Sequence, residues 1–182
     1  MAKVSQVPIP KPFIEVFKRA GIKLKNYKSP LSFERDLKKF LKRNHVLHLS
    51  TCKNNTARST PIEYRLSGLT FYLLSEGGAK FENLKNNKKV SFSIAEPYDS
   101  EKDYWSYKGL QAWGTAKVHN QKKNPEQFQE ALKKMKIGKA LKKLGLKELP
   151  PHIVYRIIEI TPDKIRYGNP QEGAFRVTWQ RR

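Results

Sequence analysis

The stretch 75–94 combines several groups that bind phosphate. An apolar run, 69–74, ends at Ser75, and Gly77-Gly78 then allows a sharp turn. A short helix is predicted next, with Lys80 in its first turn. Free backbone N–H groups, the helix dipole and an ammonium group would then point at one place, which suits a phosphate-sized anion. An ordinary strand–turn–helix with a solvated lysine is the alternative interpretation.

Other chemistry-bearing residues favour structural roles. His45 and His48 fall on opposite faces of one predicted strand, so no metal site is predicted. Cys52 lies in a turn rich in lysine and asparagine, without the neighbours of a nucleophile. Aromatic residues in 104–107 precede a lysine, as on nucleic-acid-binding surfaces, but packing is the simpler interpretation. No acid–base pair stands out, so catalytic residues stay unassigned.

The chain is strongly basic. It has 182 residues, enough for one domain with a real core, a net charge of +21 and a pI of about 10.1. Such a charge attracts nucleic acid or a polyanionic ligand. The lysines are spread along the whole chain, which favours a solubilising role. Any binding to duplex is therefore expected to be non-specific and salt-sensitive, and a specific nucleic-acid partner is not expected.

Features of localisation point to the cytoplasm. No apolar run is long enough to span a bilayer, and the first twelve residues lack the apolar segment of a signal peptide. Cys52 is the single cysteine, so no intramolecular disulfide can form. A cytoplasmic protein without a membrane partner is expected.

Hydrophobic periodicity predicts a β-rich domain with a few helices. Residues 1–28 are interpreted as an N-terminal arm and short helix, because prolines stand at 8, 10 and 12. Residues 29–182 are predicted to form one domain, a mostly antiparallel sheet that curls into a barrel with flanking helices. Glycines inside a predicted strand 104–118 indicate a bend or a close neighbour. Helices are predicted over residues 30–43, beginning at residue 79, and beginning at residue 125. Strands are predicted over residues 45–51, 57–66, 69–75, 89–95, 104–118, 153–160, 164–167 and 175–179.

Five ordered motifs make the chain resemble the pyridoxamine 5′-phosphate oxidase-like family of FMN-binding split barrels. The resemblance covers roughly 30–120, with a weaker echo in 153–179. The motifs are the helix–strand segment 40–51, Arg58-Ser-Thr-Pro-Ile62, the hairpin strand 68–75, the block from Ala79-Lys80 to Val90, and Gly114-Thr-Ala-Lys-Val118.

The resemblance implies a homodimer that holds FMN in a groove at its interface. Phosphate contacts would come from Arg58, Ser75 and Lys80, and the ring would lie along 58–62. The family often has a glutamine on the strand leading to the Gly114 position, and Gln111 is the candidate here, displaced by two residues. The implied cofactor-binding residues are Arg58, Ser59, Thr60, Pro61, Ser75, Gly78, Ala79, Lys80 and Gln111.

The expected function is that of an FMN-binding flavoprotein, a flavin-dependent oxidoreductase acting on an unknown small molecule. The C-terminal Arg-Leu-Xaa-Pro signature of the vitamin oxidase is missing, because the chain ends Trp179-Gln-Arg-Arg182, so that substrate is not expected. The same barrel binding F420 or heme is one alternative. A basic nucleic-acid-binding barrel without catalysis is another.

Overall fold

The computed structural model describes residues 2–182; Met1 lies outside the described residues. The strands are β1 (Ala2–Gln6), β2 (Val46–Lys53), β3 (Thr56–Glu63), β4 (Arg65–Ser67), β5 (Thr70–Ser75), β6 (Lys89–Ala95), β7 (Gly109–Asn120), β8 (Arg156–Asn169) and β9 (Ala174–Arg181). The helices are α1 (Lys11–Arg19), α2 (Pro30–Arg43), α3 (Ala79–Asn86), α4 (Pro125–Met135) and α5 (Gly138–Lys143).

The chain divides into two compact units that alternate along the sequence. The first unit comprises residues 2–44, 92–113 and 163–182, and the second unit comprises 45–91 and 114–162. Strands β6, β7 and β8 each contribute residues to both units. The boundary expected between residues 28 and 29 stays a prediction.

In the first unit the strand order is β1-β9-β8-β7-β6. Strand β1 pairs antiparallel with β9, placing Val4 opposite Trp179. The expected N-terminal arm therefore begins with a strand. The prolines at 8, 10 and 12 all follow it, so they leave the N–H groups of β1 able to form the ladder.

Helix α2 covers the core of the first unit. Its N-cap residue Ser29 accepts a hydrogen bond from the Ser32 amide at 3.3 Å, and Pro30 occupies the first helical position. The predicted apolar stripe is buried, and Phe40 packs edge-on against Tyr167 with ring centroids 5.3 Å apart. The helix predicted over 30–43 is confirmed with these bounds.

In the second unit the strand order is β4-β5-β8-β7-β6-β2-β3. The pairs β2–β3, β4–β5 and β5–β8 are antiparallel. Strand β3 ends the order, so Pro61 lies on an edge, as its missing N–H requires. Helix α4 packs Phe128 and Met135 against Tyr72 and Ile157. Within residues 2–182, hydrogen bonding closes neither unit's strands into a ring.

Four predicted strands differ from the observed ones. The strand predicted over 57–66 is divided into β3 and β4. Strand β7 begins at Gly109, because Asp103 organises a turn by accepting hydrogen bonds from the Trp105 amide and the Ser106 hydroxyl. The strands predicted at 153–160 and 164–167 are one continuous strand, β8. The mostly antiparallel sheet with flanking helices is confirmed.

Gly114 lets two strands of the second unit approach closely. A Cβ atom at Gly114 would overlap the carbonyl oxygen of Thr161 and stand 2.9 Å from the Cα of Pro162. The close neighbour expected from this glycine is therefore backbone. Because backbone cannot move aside as a flexible side chain can, any larger residue must displace β8.

Gly114→Ala is expected to lower the free energy of unfolding by about 1–3 kcal/mol, the usual cost of overpacking. Gly138→Ala is the matched control, because a Cβ at Gly138 meets nothing within 4 Å. Urea unfolding of both variants measures the difference. Equal stability of the two variants would contradict the close approach.

Candidate functional site

Helix α3 begins with backbone and side-chain groups suited to an anion. Its N-cap residue, Gly78, has φ +107°, a conformation that side chains rarely adopt, and no side chain caps the helix. Lys80 is 7% exposed, and its Nζ donates to the carbonyl oxygen of Gly77 at 2.5 Å. The Ser75 hydroxyl also donates to that oxygen, at 3.3 Å. The strand–turn–helix predicted around Lys80 is confirmed.

Two antiparallel registers bring arginines to this helix start. In the β2–β3 pair Arg58 lies opposite Thr51, and the Thr51 hydroxyl accepts a hydrogen bond from Asn83 of α3 at 2.9 Å. In the β5–β8 pair Arg156 lies opposite Ser75. The guanidinium of Arg156 donates to the carbonyl oxygen of Glu76 at 2.9 Å.

Arg58, Lys80 and Arg156 form what we call the cation cluster. Burial lowers the pKa of Lys80 below its usual value, and the positive charges of Arg58 and Arg156 lower it further. Lys80 Nζ and Arg156 Cζ each lie 5.0 Å from the ring centroid of Phe81, whose π face attracts cations. The cluster thus places like charges together in a partly desolvated place.

No carboxylate in the described part of the chain forms an ion pair with the cation cluster, although the charge of Arg156 is among those that lower the pKa of Glu82. Among residues 2–182, none of its three side chains forms an ion pair. The nearby Glu82 is bonded to Lys85 at 2.8 Å, and that contact lowers its pKa. Repulsion among the cations would be relieved by a bound anion, so the cluster is a candidate anion site.

The other predicted residues of β3 follow Arg58 along the edge strand. Ser59 and Pro61 are exposed and Thr60 is half-buried. The Thr60 hydroxyl is buried without a hydrogen-bond partner among the described residues. An unpaired buried hydroxyl is costly, which makes it a natural contact for a polar ligand atom.

Gln111 lies in the first unit, whereas the other predicted site residues lie in the second. It is exposed on β7 and lines a cavity of about 810 Å³. Arg166, Arg176, Tyr98 and Tyr107 also line this cavity. A contact of Gln111 with the cofactor stays a prediction.

Arg156 is the site residue that the sequence analysis missed. It opens β8, far along the chain from Ser75, and only the β5–β8 register places the two opposite each other. A basic residue inside the predicted strand 153–160 is the signal available in the sequence, but many basic residues in other predicted strands share it.

His119 makes a side-chain contact within the sheet. His119 lies 2.9 Å from Glu159 across the second unit's sheet. The described residues contain no group of three or more His, Cys, Asp and Glu side chains placed to hold a metal ion. Among the same residues, no helix is both long and apolar enough to cross a bilayer.

The mostly antiparallel sheet and its flanking helices define a split-barrel protein. The sequence profile of pyridoxamine 5′-phosphate oxidase matches residues 33–169. The chain therefore belongs to the pyridoxamine 5′-phosphate oxidase family, which confirms the resemblance. No curated protein matches it.

Solved structures with the same fold have different described ligands. General stress protein 26 of Bacillus anthracis is 19% identical, with a TM-score of 0.56, covering 76% of this chain and 95% of its own. An FAD-binding protein of Mesorhizobium loti is 17% identical, with a TM-score of 0.53, covering 81% and 93%. The heme storage protein HutZ of Vibrio cholerae is 19% identical, with a TM-score of 0.57, covering 76% and 97%. At these identities the likeness shows the fold alone.

The lowered pKa of Lys80 gives a pH dependence that can be measured. Between the folded and unfolded pKa values the unfolded chain binds more protons, so stability rises with pH there. The wild-type free energy of unfolding, minus that of Lys80→Met, should therefore increase from pH 7.5 towards pH 10, near the unfolded value of about 10.4. Urea unfolding at both pH values measures this difference. The contributions of the other lysines to the two unfolding free energies cancel when one is subtracted from the other. A difference that falls with pH would contradict the placement of Lys80 beside two cations.

Proposed function

We propose that the chain is an FMN-binding flavoprotein and a flavin-dependent oxidoreductase of unknown substrate. The observation that carries this proposal is the cation cluster without a carboxylate partner at the start of α3. A phosphate dianion would neutralise it. Family membership supports a flavin, and the fold neighbours include an FAD-binding protein.

The residues present fit the phosphate group of FMN. Arg58 offers a planar fork of donors, Lys80 a point charge and the α3 start its amides. Arg156 adds a second guanidinium at the same place. Each charge-assisted hydrogen bond stabilises a complex by roughly 1.5–3 kcal/mol.

The strand β3 fits the polar edge of a flavin ring. Thr60 has the buried hydroxyl without a partner, and a polar ring atom would satisfy it. Ser59 adds an exposed hydroxyl on the same strand. When bound, FMN supplies the hydride-transfer chemistry. The protein's part is to bind the phosphate, orient the ring and limit access of water, which explains why no acid–base pair is needed.

Heme is the less favoured cofactor for the cavity of about 810 Å³ in the first unit and for a cavity of about 640 Å³ in the second unit. Neither is lined by histidine, cysteine or methionine, the usual axial ligands of heme iron. Burial raises the pKa of Tyr107 in the cavity of the first unit, which disfavours a tyrosinate ligand. Purified protein should therefore show flavin absorption bands. A Soret band, or the spectrum of a deazaflavin, would contradict the flavin assignment.

Lys80→Ala is expected to weaken FMN binding roughly ten- to a hundredfold, because one charge-assisted contact is lost. Arg58→Lys should also weaken it, because a point charge replaces a fork. Riboflavin lacks the phosphate, so its weak binding should barely change. Fluorescence titration of both ligands measures these affinities.

Lys117→Ala is the matched control, an exposed lysine on β7 outside the cation cluster. It should leave both affinities near those of the wild type. If Lys80→Ala weakens riboflavin as much as FMN, Lys80 is not a phosphate ligand and the proposed site is wrong.

We also propose that the protein acts as a homodimer in the cytoplasm. Trp105 is covered within the first unit, since it packs on Phe17 with ring centroids 4.4 Å apart. Trp113 is 36% exposed, with Lys164 and Arg166 each 5.5 Å from its ring centroid. Trp113 is therefore the residue around which we place the interface.

Sedimentation velocity at micromolar concentration should show a dimer, and Trp113→Glu should shift it to monomer, because a charge would be buried against a second copy. Leu31→Glu is the control, since Leu31 is a more exposed apolar residue on α2. A monomeric wild type, or a dimer that Trp113→Glu leaves intact, would contradict this interface.

A further inference from the structure

A groove of about 640 Å³ in the second unit begins where the cation cluster ends. Arg156 of the cation cluster lines the groove, and so does Gly78, the N-cap residue of α3. From there the groove follows α3, the end of β7 and the start of α4. Its apolar lining comes from Phe81, Leu84 and Val118.

The charges along this groove are mostly positive. Lys85, Lys88 and Lys123 line it together with Arg156, and Glu82 is its one carboxylate. Glu82 is engaged by Lys85, and Lys88 donates to the carbonyl oxygen of Leu84. Within residues 2–182 the Lys123 ammonium has no ion-pair or hydrogen-bond partner.

Two amide side chains add donors. The Asn120 Oδ1 accepts from the backbone amides of Lys122 and Lys123, and the Asn124 Oδ1 accepts from the Asn120 amide. Both acceptor oxygens are thus occupied. Their NH₂ groups have no partner among the described residues, so the groove offers donors and cations to a ligand.

FMN would not use this groove, because its chain ends at the phosphate. A ligand that continues beyond that phosphate would enter the groove directly, since Arg156 borders both sites. A second phosphate could meet Lys88 and Lys123, and a flat base could contact the apolar lining.

We propose that the groove binds the second phosphate and the nucleoside of a dinucleotide flavin. This inference rests on the proposed flavin site and extends it from the mononucleotide to FAD. Lys123 and Lys88 are its binding residues, and they act on the part of FAD that FMN lacks. In this arrangement FAD binds at least as tightly as FMN.

The test titrates FMN and FAD into wild type, Lys123→Gln and Lys88→Gln, followed by flavin fluorescence. Each variant should weaken FAD about fivefold or more and leave FMN within about twofold, because an exposed charge-assisted contact is lost only from the longer ligand. Lys122→Gln is the matched control, an exposed neighbour that does not line the groove. It should change neither affinity.

The outcomes separate this inference from the proposed function. If FMN affinity depends on Lys80 but FAD affinity is unchanged in both groove variants, the groove is not a binding site for FAD. The proposed flavin site would still stand. An FAD affinity more than about tenfold weaker than the FMN affinity would also contradict the proposed role of the groove. If neither flavin binds, the proposed function itself fails.

Discussion

The structure is organised around positive charges that the described residues do not neutralise. Lys80 is buried beside Arg58 and Arg156, and its lowered pKa reflects both burial and their repulsion. Buried charges are normally paired, because their desolvation is costly. Keeping three cations together at the start of a helix costs free energy in the protein without a ligand. An anionic ligand would offset this cost.

Strand register is the constraint that makes this cluster possible. Arg58 and Arg156 come from strands far apart in sequence, and each is aligned to its neighbour by an antiparallel ladder. Asn83 ties α3 to β2 beside Arg58, and Gly78 provides the turn that starts the helix. The cation cluster therefore depends on the strand register, since shifting either ladder by one residue would turn an arginine to the other face of the sheet.

The sequence was informative where one short stretch carries the signal. Ser75, Gly78 and Lys80 follow one another, so their strand–turn–helix could be predicted from local rules. Arg156 could not, because its role depends on the β5–β8 register, which no local pattern specifies. The sequence predicted separate strands at 153–160 and 164–167, but tertiary pairing keeps them one continuous strand. The many lysines spread along the chain also hid the ones that line the groove, because charge alone does not show which side chains lack a partner.

A crystal structure of the protein with FMN tests the central claim most directly. The account predicts phosphate oxygens within about 2.7–3.2 Å of Lys80 Nζ and of a guanidinium nitrogen of Arg58, with the α3 amides facing the same group. Phosphate density away from the cation cluster, or FMN bound with Lys80 still bonded only to the carbonyl oxygen of Gly77, would contradict it.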